Sequence, residues 1–362
     1  MVLWWAARQP AIRNKLQTFA AQATTRAPDQ RTSQNAKTVN EALSKAVDDL
    51  RASNDPTKSR SILSELRKLL DSLPPDVASR VVQAFLKSGQ DAGTKLDVTI
   101  KQGGELGDAS SLRVFLLDYL GHVDRAAAGN VAMEVLSRYT TPDEWAVSLR
   151  NFAWANPDSG AYAYLQMKSR ELLGNAEWRR NPSAGYLEAF DTIVYAHAVG
   201  LAPDLAALMR DKDNKATAHA AYLTLDRLTI SDPKAMLTQL VQQPYLMQGR
   251  EQTRANFVAR ADIRQPEQRA LVEQYLLDPS RSQKELTTFA AIYPNANYMI
   301  SDNLLTEVKT PSGNELLASD REALRIVEEW EDAPRFERIQ PMLTQIRARL
   351  ENFVQQADQG GR

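Results

Sequence analysis

The sequence predicts an all-α protein, built as an irregular array of antiparallel helix pairs (an α-solenoid); the alternative is a compact globular all-α domain. Three observations predict it. Apolar residues recur at spacings of three and four along most of the chain. Short polar turns, several of them carrying proline, separate these stretches. No two alternating strand patterns lie close enough together to pair.

The array is expected to open after residue 35. In "NAKTVNEALSKAVDDL", Ala36, Val39, Leu43, Ala46 and Leu50 form an apolar seam, and Ile62, Leu66, Leu69 and Leu73 repeat it in "SILSELRKLLDSL". The intervening "ASNDPTKS" has the Asn, Asp and Pro of a turn, so residues 36–73 read as a helical hairpin. A third helix should start on Pro75 and stop at Gly89, closing a 36–89 unit. Residues 90–107 are glycine-rich. Leu96, Val98 and Ile100 alternate there as in a strand, but without a partner run they read as a loop or a small edge element.

From residue 108 to 355 the helical signals run on as one body. Pro142, Pro157, Pro182, Pro203, Pro233 and Pro266 mark helix starts, each in or just after polar residues. Thr141 and Glu144 have the spacing of a capping box. Trp145, Leu149 and Phe152 share a core-facing stripe, as do Ala323, Ile326, Val327 and Trp330. Pro341 should break or kink the last helical stretch, and residues 356–362 should form a disordered tail. No fixed repeat period holds: Pro142 to Pro182 is 40 residues and Pro233 to Pro266 is 33. The succession of helices is similar in kind to irregular HEAT-like arrays, a likeness of helix lengths and turns that transfers no residue role.

Composition narrows the chemistry. The 362 residues carry 44 basic and 45 acidic side chains and no cysteine. Near-neutral charge argues against a dedicated nucleic-acid binder. Without cysteine there are no disulfides, thiolate metal sites or cysteine nucleophiles, although the compartment is not fixed by this. His122, His197 and His219 fall in no metal-binding spacing, and the small apolar neighbours of His197 and His219 suggest satisfied, semi-buried rings. "GGELGD" lacks the Lys-Ser/Thr of a phosphate loop and carries Glu105 and Asp108, so Asp108 reads as a helix cap. "RDKDNK" fails as a calcium loop because Lys215 and Tyr222 occupy ligand positions. No cofactor is expected.

Ser231–Lys234 ("SDPK"), Ser301–Asn303 ("SDN") and Lys309 onward ("KTPSG") resemble the three motifs of serine β-lactamases and penicillin-binding proteins. The resemblance would make Ser231 the acylated nucleophile and put Lys234 in its proton-transfer network. It fails at the third motif, where Pro311 replaces a glycine that belongs on a central strand. The spacing from "SDN" to Lys309 is also too short for a sheet. The same residues read as a Ser231 or Asp232 helix cap and a turn.

Two surface features point to partners. Ten of the 26 aromatic residues lie between Tyr139 and Tyr195. Within them, "NAEWRRNPSAGY" puts Trp178, Arg179 and Arg180 in an apparent inter-helix loop, and these residue types dominate binding hot spots. With Trp154, Tyr162 and Tyr164 they form the candidate partner site; the competing explanation is that Trp178 folds back on the core. At the start of the chain, residues 1–35 are polar and basic. Trp4 and Trp5 with Arg8, Arg13 and Lys15 suit contact with an anionic membrane surface, while Leu3, Trp4, Ile12, Leu16 and Phe19 could equally cover an end of the array. The expected function is a non-catalytic helical scaffold for another protein or peptide. The alternative is an all-α enzyme whose site assembles from scattered Glu, Asp, Tyr and His. An open groove lined by aromatics would favour the first, and a closed pocket holding His197 the second.

Overall fold

Short helices pack one after another on a continuous apolar seam from Val39 to Leu350. A computed structural model describes residues 30–359. The expected membrane-contact residues Trp4, Trp5, Arg8, Arg13 and Lys15 lie outside the described residues. Helices α1 (Gln30–Ala52), α2 (Pro56–Asp71) and α3 (Pro75–Ser88) form the opening unit. Its seam is buried as expected at Val39, Leu43, Ala46, Leu50, Leu66 and Leu73. Gly89 ends α3 with a φ of 74°, a left-handed cap that costs glycine nothing. Residues 90–107 contain no strand. Isolated antiparallel bridges join Gly93 to Ser111 and Ile100 to Leu106, folding this segment onto the start of the next helix.

The body continues through α4 (Leu112–Val123), α5 (Arg125–Leu136), α6 (Pro142–Ala155), α7 (Tyr162–Gly174) and four shorter helices: α8 (Ala176–Arg180), α9 (Ala184–Glu188), α10 (Asp191–Tyr195) and α11 (Ala202–Met209). Then come α12 (Lys215–Ser231), α13 (Pro233–Gln242), α14 (Glu251–Val258), α15 (Pro266–Leu277), α16 (Gln283–Ile292), α17 (Gly313–Glu331) and α18 (Gln340–Asp358). Pro142, Pro203, Pro233 and Pro266 sit in first turns, where a missing N–H costs nothing. Pro157 and Pro182 instead lie in the connections before α7 and α9. Pro341 breaks the chain into a 3₁₀ turn (Pro334–Ile339) and α18, which reaches Asp358, beyond the expected boundary at 355.

Three local expectations are corrected. Asp108 is not a cap. Both its oxygens accept from Arg60 at 2.9 Å, and Ser111 caps α4 instead. Thr141 caps α6, but the buried Glu144 turns away from it to take Arg113 Nε at 2.9 Å, because a charged guanidinium is the stronger partner. A complete capping box occurs at Ser312 and Glu315. Finally, the body is not continuously helical: residues 293–312 carry no helix or strand.

Buried Arg–carboxylate pairs tie the layers together. Arg150 with Asp118 (2.8 Å) and Arg254 with Glu285 (2.7 Å) each join two different helices, and Arg260, in the turn after α14, holds Asp226 on α12 (2.7 Å). Burial pushes the Asp118 carboxyl up, but the His122 and Arg150 contacts outweigh it and hold the group below its ordinary value.

Candidate functional site

The non-helical segment 293–312, here called the strap, runs from the end of α16 back across α12 and α10 to the loop before α4. Each contact along it has a local cause. At its start the Asn295 N–H donates to Ala259 O (2.8 Å), and Arg260, held on Asp226, donates to Asn295 O (3.3 Å). At its centre the Asp191 carboxylate on α10 accepts from Leu305 N–H (2.6 Å), Thr306 N–H (3.0 Å) and the Thr306 hydroxyl (2.5 Å). Arg227 on α12 donates to Asp191 (2.6 Å) and to Asn303 Oδ1 (3.2 Å). Asp191 is 4% exposed, so these charge-assisted bonds work in a poorly screened setting.

At the same centre, Leu304 is fully buried. Its carbonyl lies against Gly104, where an added Cβ would come within 2.1 Å of Leu304 O and 3.4 Å of the Trp154 ring. Gly104 has a φ of 80°, and its own carbonyl accepts from Arg150 Nη1 at 2.6 Å. Glycine is therefore required twice, for the left-handed backbone and for the close approach. Arg150 lies 4.2 Å over the Trp154 ring, which holds both groups under the strap.

The strap does not fill its groove. On one side lies a cavity of about 500 Å³, lined by Tyr162, Tyr195, Leu223, Ile230, Met299 and Val308 among others. On the other lies a cavity of about 810 Å³, between the strap, the end of α12, the α14–α15 connection and α17. Met299 and Ile300 on the strap are 55% and 76% exposed, and Ile230 on α12 is 37% exposed. Burial pushes the Tyr195 phenol up, with Tyr162 and Asp158 adding to the shift, so it stays neutral and can donate a hydrogen bond.

At the mouth of the smaller cavity His197 Nδ1 stands 2.9 Å from each oxygen of Asp232, and the Ser231 hydroxyl donates to the same carboxylate at 2.8 Å. His197 has a φ of 51°, a left-handed conformation that costs a side-chain-bearing residue about 1 kcal/mol. Its ring packs on Tyr162, with centroids 5.4 Å apart. The expectation of a semi-buried ring is corrected: the His197 side chain is 47% exposed, and His219 is exposed too.

Of the sequence-predicted partner residues, Tyr162 lines the cavity and Trp154 supports the centre of the strap. Tyr164 packs instead against Phe152, at 4.5 Å. Trp178 is not in a loop. It belongs to α8, capped by Asn175, and is 6% exposed between Trp145 (5.2 Å) and Tyr139 (5.9 Å). Asn214 donates to the Arg179 and Arg180 carbonyls, so this stretch is held by its backbone as well. The apolar environment of Trp145 drew the indole inward.

The cavity gathers Ser231, Ser301, Asn303 and Lys309, residues of the three rejected motifs. They do not form that catalytic set. Lys234 pairs with Glu267 (2.8 Å), Ser231 engages Asp232, and Asn303 is folded back onto Ser301 and Thr306 within the strap. Among the described residues, no cluster of three or more His, Asp or Glu side chains could hold a metal ion. No described helix is long and apolar enough to cross a membrane. Sequence reasoning missed Asp191, Arg227 and Tyr195. The available signal was "YPNANYMISDNLLTEVKTPSG", too long and aperiodic for an ordinary helix–helix connection. Comparison with protein-family models, curated proteins and solved structures finds no match to this chain.

Proposed function

We propose that the chain is a helical scaffold, an irregular array of helix pairs, that binds an extended peptide segment of another protein in the groove beside the strap. The observation that carries this is the strap itself. The groove holds an extended chain through contacts to its backbone, Asp191 taking two N–H groups, and through one buried leucine. An extended guest offers the same backbone groups whatever its sequence, while apolar pockets supply selectivity. The open space flanked by Tyr162, Tyr195, Ile230 and Met299 suits an aromatic or aliphatic side chain of such a guest.

The array reading is supported by the spacing of contacts. Ser110 and Asp143 are 33 apart, His197 and Asp232 35, Asn214 and Arg179 35, and Arg281 and Val241 40. Such separations, each spanning two or three helices, are those expected of a stack of repeats that touch their neighbours. The main helix contacts likewise join elements close together in chain order, such as α5 with α6 and α17 with α18.

The test is panning of a random peptide library on the chain, followed by titration of enriched peptides against wild type and Ile230→Arg. Ile230 is exposed, so the change spares the core. Enriched peptides should share an apolar anchor and lose about ten-fold or more in affinity on the variant. No enrichment, or peptides indifferent to Ile230→Arg, refutes the groove as the site.

A second reading is favoured by one observation: Asp232 holds His197 through Nδ1, which orients Nε2 as a general base at the cavity mouth. Turnover of a panel of activated esters that disappears in His197→Gln would support this reading. Equal rates for the variant and wild type would remove it.

A further inference from the structure

The cavities along the array are lined by matched charge, with one exception. The cavity under α2 has three cations and three carboxylates, and so has that beside α3. The smaller groove cavity has Arg227 and Lys309 against Asp226 and Glu307, and the larger again has three of each. The exception is a cleft of about 1030 Å³ where the α13–α14 connection meets the starts of α14 and α16. Lys212, Arg250, Arg254, Arg281 and Lys284 line it, against only Glu251 and Glu285.

Both of those carboxylates are already committed. Glu285 takes Arg254 at 2.7 and 2.8 Å, a buried pair that forms part of the cleft wall. Glu251 folds back to accept from Gly249 N–H at 2.9 Å, and these backbone donors hold its carboxyl below the ordinary value. Arg281, 4% exposed, donates to Val241 O (2.8 Å) and pairs with Asp278 (3.0 Å), a residue outside the cleft. Lys212, Arg250 and Lys284 are exposed and make no ion pair among the described residues. Among the described residues the Arg250 side chain donates only to the Met209 carbonyl, at 3.0 Å. In a chain of net charge −1, this excess is local. A concave surface focuses such a field on whatever enters it. The first turns of α14 and α16 open on the same space and add the positive ends of two helices.

We propose that this cleft binds a soluble compound bearing several phosphate groups. Its cations are spread around a volume at the upper end of small-molecule sites, so a single phosphate could reach only some of them. Lysines serve as point charges for phosphate and arginines as forked donors. This proposal is independent of the peptide groove.

The experiment is calorimetric titration of the full chain with inorganic tripolyphosphate, with inorganic phosphate, and with vesicles carrying a phosphorylated headgroup. Each is repeated at two salt concentrations and on the Lys212→Glu/Lys284→Glu double variant. Both side chains are exposed and unpaired, so the variant should fold, and a thermal melt verifies that. Tripolyphosphate should bind more tightly than phosphate, weaken as salt rises, and lose about ten-fold or more in affinity on the variant. No binding at millimolar tripolyphosphate overturns the proposal. So does equal affinity for a folded variant, or binding to vesicles alone. A variant that fails to fold is replaced by Lys212→Gln/Lys284→Gln, judged by the same outcomes.

Discussion

Asp191→Ala should free the strap while leaving most of the helices folded. The carboxylate is nearly buried, pairs with Arg227 at 2.6 Å and accepts the Leu305 and Thr306 amides at 2.6 and 3.0 Å. Removing one partner of a buried ion pair costs about 3–5 kcal/mol. Each buried N–H left without an acceptor would add roughly 1–3 kcal/mol. Those amides can escape that penalty by moving into water, because the strap is flanked by open space on both sides. The total should therefore stay near 3–5 kcal/mol and appear as local opening, about a hundred-fold or more in the opening equilibrium. The assay is amide hydrogen exchange. Leu305 and Thr306 should lose protection by at least that factor, and amides of α1 to α3, which Asp191 does not touch, should stay as they are. Asp191→Asn keeps one acceptor oxygen without the charge and should fall between. Unchanged exchange at Leu305 and Thr306 would refute the claim that Asp191 holds the strap.

Gly104→Ala should destabilise by several kcal/mol or expel the strap, since the new Cβ would meet backbone at 2.1 Å on a φ of 80°; a denaturant melt with unchanged midpoint would show that the loop simply shifts. Trp178→Ala should lower stability by roughly 3–5 kcal/mol through the cavity left beside Trp145, whereas exposed Arg180→Ala should be nearly silent; equal melting of both variants would return Trp178 to the surface. Burial, then the charge of Asp191, holds the Glu188 carboxyl above its ordinary value of 4.5, so its effect on stability is most favourable below the unfolded value and is lost as pH rises through the folded one. Glu188→Gln should therefore stabilise the chain near neutral pH, and the gain should vanish in acid; a gain that persists in acid would point to packing rather than ionisation.

The sequence by itself determined the helices, because their signals are local. The apolar seam of α1, the left-handed Gly89 and the stripe of Ala323, Ile326, Val327 and Trp330 each follow from residues within one or two turns of one another. It also placed Tyr162 and Trp154 among residues worth watching. What only the tertiary structure decided depends on residues far apart in sequence. Glu144 left its cap for Arg113, 31 residues away, because burial makes a charged partner worth more than a backbone amide. Side chains also meet across 33 to 40 residues, as Ser110 with Asp143 and Arg281 with Val241, and no sequence period announces these contacts because the connecting loops are uneven in length. Asp191 and Leu305 meet across 114 residues, and no local pattern marks an acid that will accept the amides of a distant strap. Trp178 looked like a surface residue because its neighbours are charged, and it turned inward because Trp145 and Tyr139 offered an aromatic pocket that only the packed helices create.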